Sequence, residues 1–155
     1  MIQRIQSVYL LLAGILPAFT FTTPLARFSL GEDAFLTLSS LGLRATGTPQ
    51  PTATQPVYLA LALLAVLLML LSVLNIFGYK NRKRQVRVCN WSVALAVAWY
   101  AAYVGICAMF TQQTGTAFTP ALCAALPFLT LAFTLLARRS IKKDEELVRA
   151  ADRIR

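Results

Sequence analysis

The sequence predicts an all-α membrane protein: a four-helix transmembrane bundle, with a small β-hairpin in its first outer loop and a cytoplasmic C-terminal helix. Three observations predict it. Hydrophobic residues make up 57% of the 155 and charged residues only 14%, with mean hydropathy +0.63, whereas soluble domains are about half apolar and roughly 25% charged. The charges are segregated, with none from Ala45 to Tyr79 and none from Val88 to Ala137. The second gap is 50 residues long, enough for two bilayer crossings at about 20 residues each. One soluble domain would fit the length but not this distribution, and disorder requires lower hydrophobicity.

Residues 1–137 form the expected transmembrane domain, with helices at about 5–21, 58–78, 89–110 and 120–137 and an outer loop over 22–57. At 1.5 Å per residue each helix covers roughly 25–33 Å, close to the hydrocarbon thickness. The first run has a charged start at Arg4, like a signal peptide. Its apolar part continues past Pro17 to Phe21 and no small-x-small cleavage pattern follows, so a retained helix is expected. The second run is the least ambiguous, since Leu59 to Leu74 holds nothing more polar than Ser72. Runs three and four are separated only by the polar turn Thr111 to Thr116, which makes them antiparallel neighbours. Pro17 and Pro127 are expected to kink the first and fourth helices.

Within the outer loop, Arg27 to Leu30 alternates and Ala34 to Leu41 partly alternates, on either side of Gly31-Glu32-Asp33, a hairpin pattern. A lone hairpin is marginal in water, so it is expected to pack on the outer helix ends or on a partner. Thr46 to Pro56, rich in Thr, Pro and Gln, reads as an irregular connector.

Orientation follows from the basic residues. Only Arg27 and Arg44 lie in the outer loop. The other 13 fall at Arg4, in the segment Lys80, Arg82, Lys83, Arg84 and Arg87, and between Arg138 and Arg155. Both termini are therefore expected in the cytoplasm, with the long loop facing outward. The net charge of +9 is foremost this topology signal. The loop Lys80 to Arg87 is expected to touch anionic lipid, each basic residue contributing about 1 kcal/mol. It lacks interleaved aromatics and any nucleic-acid-binding motif, which speaks against nucleic acid as a partner.

In the third helix Ala94, Ala98 and Ala102 recur every four residues, and Ala101 and Gly105 repeat the spacing. Small residues so placed let helices approach closely in lipid, within the bundle or against another subunit. Trp99, Tyr100 and Tyr103 sit near the middle of that helix, where bundle packing with bonded polar groups outweighs a quinone or lipid cleft. The three cysteines lack His and CxxC spacing, which excludes the familiar metal sites; no cofactor is expected. Cys107 and Cys123 share a depth near the outer face, where a disulfide between them is open to formation, with buried free thiols as the alternative.

Residues 138–155 form the tail. No Pro or Gly interrupts it, and Lys142 with Glu146 and Glu145 with Arg149 stand at i,i+4. Ile141, Leu147, Val148, Ala151 and Ile154 share a stripe about 140° wide. That stripe is expected to meet another membrane or cytoplasmic protein, or the membrane surface, with a solvated helix carrying a weak stripe as the alternative.

Both ends carry a resemblance. Met1-Ile2-Gln3-Arg4-Ile5-Gln6-Ser7-Val8-Tyr9-Leu10-Leu11-Leu12 and Ile141-Lys142-Lys143-Asp144-Glu145-Glu146-Leu147-Val148-Arg149-Ala150-Ala151-Asp152-Arg153-Ile154-Arg155 resemble the start and the C-terminal signature of a family of small four-helix inner-membrane proteins of unknown function from the Bacteroidota. The resemblance implies an inner-membrane location and four helices, and it implies no activity.

Catalysis needs groups that move protons or attack bonds. The apolar runs hold no acid, no base and no His, so an enzyme is not expected. A coupled transporter normally keeps ionisable residues within its helices. The expectation is therefore a non-catalytic accessory or scaffold subunit of a larger membrane complex, with an oligomeric transporter or channel as the alternative.

Overall fold

The computed structural model describes residues 3–29, 35–46, 56–78, 81–116 and 118–153. The first apolar run forms α1 (Gln3–Ile15), a 3-10 turn (Leu16–Ala18) and the short α2 (Phe19–Thr22). Pro17 is the cause of the break, because it has no N–H to give an α-helical ladder. Side-chain hydroxyls bond the carbonyls after the break: the Thr20 hydroxyl donates to the Pro17 carbonyl at 2.7 Å, and the Thr23 hydroxyl donates to that of Phe19 at 2.5 Å. The second run is α3 (Pro56–Phe77), opened by a proline at its first position, where no hydrogen bond is lost.

The third run is longer than expected. α4 spans Arg82–Thr114, so the basic segment is mostly its first two turns rather than a loop. No Gly or Pro stands between Arg82 and Val104, and Asn81 caps the helix by accepting from the Arg84 N–H at 3.2 Å. Gly115 ends it in the left-handed conformation, φ 66°, its N–H bonded to the Thr111 carbonyl at 2.9 Å. The fourth run becomes a 3-10 turn (Leu122–Ala125) and then α5 (Leu126–Arg153), which continues unbroken into the tail. Pro127, expected to kink this helix, is its second residue; in the first turn its missing N–H has no partner to lose.

Each helix turns one seam inward. Buried positions are Gln6, Leu10, Ala13, Pro17 and Thr20 in the first run, and Tyr58, Leu61, Ala65, Leu68, Ser72 and Asn75 in α3. α4 buries Gln85, Cys89, Ser92, Ala96, Trp99, Tyr103 and Ile106, and α5 buries Thr130, Thr134, Ala137, Ile141 and Asp144. Steps of three and four alternate throughout, the 3.5-residue period of a left-handed bundle. α1 packs on α3 and α5, and α4 packs on the same two. Gly14 sits at a close approach of α1 to α3, where a Cβ would stand 3.3 Å from that of Ser72.

The outward faces are apolar. Leu63, Leu70, Val97, Val104 and Phe128 are each more than half exposed, whereas a bundle in water would present polar residues there. All four runs yield helices long and apolar enough to cross a membrane, within Ile5–Thr22, Tyr58–Phe77, Arg82–Gln113 and Leu122–Val148.

A four-stranded antiparallel sheet covers one end of the bundle in the order β3-β2-β1-β4: β1 (Ala26–Ser29), β2 (Phe35–Ser39), β3 (Gly42–Thr46) and β4 (Phe118–Pro120). The expected hairpin is β1–β2, with Phe28 opposite Leu36. β3 and β4 were not expected. β3 carries one large apolar residue, Leu43, and so shows no alternation, and β4 has three residues, all exposed. β4 is held from the far side of the chain, Phe118 pairing with Phe28 and the Thr119 hydroxyl donating to the Arg27 carbonyl at 3.2 Å. The expected turn Gly31–Asp33 and most of the connector Thr46–Pro56 lie outside the described residues.

The sheet packs on the helix ends, the first of the two expected placements. Phe28 is fully buried beneath it and meets the Phe110 ring at 4.7 Å. The Tyr103 hydroxyl donates to the Leu25 carbonyl at 3.0 Å and that of Tyr100 to Ala124 at 2.7 Å. Trp99, fully buried, donates from Nε1 to the Leu61 carbonyl at 3.2 Å and stacks on Tyr103 at 5.5 Å. These three rings are packing and fastening elements with their polar atoms bonded.

Candidate functional site

The opposite end of the bundle carries the basic residues and a buried polar layer. One inward seam position from each helix contributes: Gln6 from α1, Asn75 from α3, Gln85 from α4 and Asp144 from α5, all less than a tenth exposed. Gln6 donates from Nε2 to Asp144 Oδ2 at 2.6 Å, joining α1 to α5 across 138 residues of sequence. Arg82 Nη1 donates to the Asp144 carbonyl at 3.0 Å, joining α4 to α5. Gln85 Nε2 donates to the Asn75 carbonyl at 3.0 Å, and Asn75 Nδ2 donates to Cys89 Sγ at 3.1 Å, joining α3 to α4. Below this layer Leu10, Cys89, Ala137 and Ile141 form a small apolar cluster.

The layer is a fastener with two loose ends. Asn75 Oδ1 and Arg138 Nε are buried and find no hydrogen-bond partner among the described residues. Cys89 is fully buried, which removes its thiol from any reagent or substrate. Among the described residues no three His, Cys, Asp or Glu side chains converge.

The family model described as "Domain of unknown function (DUF4293)" matches residues 2–154. The chain belongs to that family. No curated protein matches it. The family match therefore covers both the sheet end and the polar end of this DUF4293 chain, and names no activity.

The expected site residues divide differently from the sequence reading. In the tail stripe, Ile141 is fully buried against Leu10 and Cys89, so it belongs to the bundle and not to a partner surface. Leu147 and Val148 are 52% and 46% exposed. Ala151 lies in α5 with its side chain outside the described set, and Ile154 lies outside the described residues. Asp144 falls within the same stripe at 100° per residue, the signal that places it inward; the i,i+4 pairs around it drew attention to the solvent face instead.

Of the basic residues, Lys83, Arg84 and Arg87 are exposed on α4. Arg82 is committed to the Asp144 carbonyl, and Lys80 lies outside the described residues. The small-residue face points out of the bundle: Ala94, Ala98, Ala101 and Gly105 are exposed, and a Cβ on Gly105 would meet nothing within 4 Å. The seam through Ala96 and Trp99 occupies the inward side instead, and of the small set only Ala102 packs partly against the core. Cys107 and Cys123 are free thiols. Cys107 turns into the core beside Tyr103 while Cys123 sits partly buried in the 3-10 turn; equal depth did not give them equal facing.

Proposed function

We propose that the protein is a non-catalytic subunit of a larger membrane complex, spanning a bacterial inner membrane four times with both termini in the cytoplasm. The observation that carries this reading is the seam of α5. It runs inward through Thr134, Ala137, Ile141 and Asp144, where Gln6 near the start of α1 and Arg82 at the start of α4 meet it. The next seam positions, Leu147 and Val148, three and four residues beyond Asp144, are exposed. A packing stripe that continues onto exposed apolar residues is a surface prepared for another chain. The exposed Lys83, Arg84 and Arg87 would lie against anionic headgroups at the same level. The buried Cys89 and the engaged Asp144 support a role without chemistry.

Gentle detergent extraction at native expression tests it. A stoichiometric partner is expected, and Leu147→Asp with Val148→Asp should release that partner while leaving insertion and abundance nearly unchanged. Retention of every partner by the double variant would refute the reading. The outward face Ala94, Ala98, Ala101 and Gly105 favours a second reading, self-association into a channel. A homo-oligomer without partners that gives flux in liposomes would support that one instead.

A further inference from the structure

We propose that α5 carries a binding site for one anionic phospholipid of the cytoplasmic leaflet. The site is a surface groove of about 520 Å³ lined by Ala132, Leu135, Leu136, Arg138, Arg139 and Lys142. This volume falls within the range of small-molecule sites, roughly 300–1,000 Å³. The lining changes character once along the helix. Ala132, Leu135 and Leu136 belong to the apolar run, and the three cations follow within the next two turns. Residues 132, 135, 136 and 139 stand at i, i+3, i+4 and i+7, with Lys142 three further on, so apolar and basic parts share one face.

The sequence of chemistry matches a phospholipid entering from the side. An acyl chain lies along Ala132, Leu135 and Leu136, and its phosphate meets Arg138, Arg139 and Lys142. Asp144 does not compete, because its carboxyl is buried on the opposite face with Gln6; Glu146, i,i+4 from Lys142, is one carboxylate against three cations. A phosphate supplies acceptors that the exposed guanidinium of Arg139 binds in a planar fork. A soluble anion would need only the cations; the aliphatic half of the groove selects the lipid.

The site rests on the membrane reading above and not on the partner. Its test therefore uses the isolated full-length protein, after carbonate extraction has separately established membrane integration. Native mass spectrometry would compare retention of phosphatidylglycerol and of phosphatidylcholine with the same acyl chains. Arg139→Gln with Lys142→Gln removes two exposed cations from the groove, and Arg27→Gln with Arg44→Gln removes two exposed cations from the sheet end as a charge-matched control. The groove variant should lose anionic-lipid retention on the order of tenfold or more, the control no more than about twofold, and glycerol phosphate should not compete. Equal loss in both variants, equal retention of phosphatidylcholine, or full competition by glycerol phosphate would each overturn the proposal.

Discussion

Removing the Asp144 carboxyl should loosen the whole basic end of the bundle, and the size of the effect can be worked from the geometry. Gln6 Nε2 donates to Asp144 Oδ2 at 2.6 Å, and both residues are less than a tenth exposed. Asp144→Leu leaves the Gln6 amide buried with its bond unmade, which costs about 1–3 kcal/mol. Gln6→Leu leaves the carboxyl in the same position, with a cost of similar or larger size. Replacing both sides with Leu removes the orphan as well as the bond, so the double variant should be far less destabilised than the two singles together. A coupling of about 1.5 kcal/mol is expected, between the value for hydrogen bonds to charged groups and the smaller values typical of helices in lipid. Asp144→Asn keeps an acceptor and should stay within about 1 kcal/mol of wild type. The assay is reversible unfolding in mixed micelles of mild and denaturing detergent, followed by helical circular dichroism and by the fluorescence of the buried Trp99. Strict additivity of the two Leu substitutions would refute the lock, as would an Asp144→Leu protein as stable as wild type.

Three further outcomes follow from the packing. Trp99→Ala should destabilise by about 3 kcal/mol, the low end for a large buried ring because the outside of the bundle is apolar, and Trp99→Phe by about 1 kcal/mol for the lost bond to Leu61; the same unfolding assay reads both. Ile141→Asp buries an unpaired charge and should destabilise by about 3 kcal/mol or more, whereas Leu147→Asp should stay within about 0.5 kcal/mol; equal effects would mean that the seam has no boundary at Asp144. Maleimide should label Cys123 in the folded protein well before Cys89 and Cys107, which are 0% and 1% exposed, and peptide mapping without reductant should give no Cys107–Cys123 link.

The sequence made the helices and the hairpin legible because their signals are long or regular. Uncharged runs defined the spans, and alternation around Arg27 to Leu41 marked β1 and β2. What it hid was short or solitary. β4 has only three residues and is recognisable through its partner strand, whose sequence is some 90 positions away. Asn75 looks like a lone polar residue near the end of an apolar run, while Gln6, Gln85 and Asp144 are lost among polar and charged neighbours. Their common fate appears only when the 3.5-residue seams of all four helices are laid side by side. The tail was legible as a helix with a stripe, but where α1 and α4 stop covering that stripe is a property of assembly, and it divides Ile141 from Leu147 and Val148. The small residues of α4 show the converse error: spacing alone identifies a face, not the direction in which it points.

The most direct test of the proposed arrangement is its topology. All but two of the 15 basic residues lie away from the outer loop, and the sheet end and the polar end occupy opposite ends of the bundle. A reporter active only outside the cytoplasm, fused after Arg155, should be silent, and the same reporter inserted near Thr48 should be active. Activity at Arg155 with silence near Thr48, or the same state at both positions, would contradict four crossings with both basic ends inside.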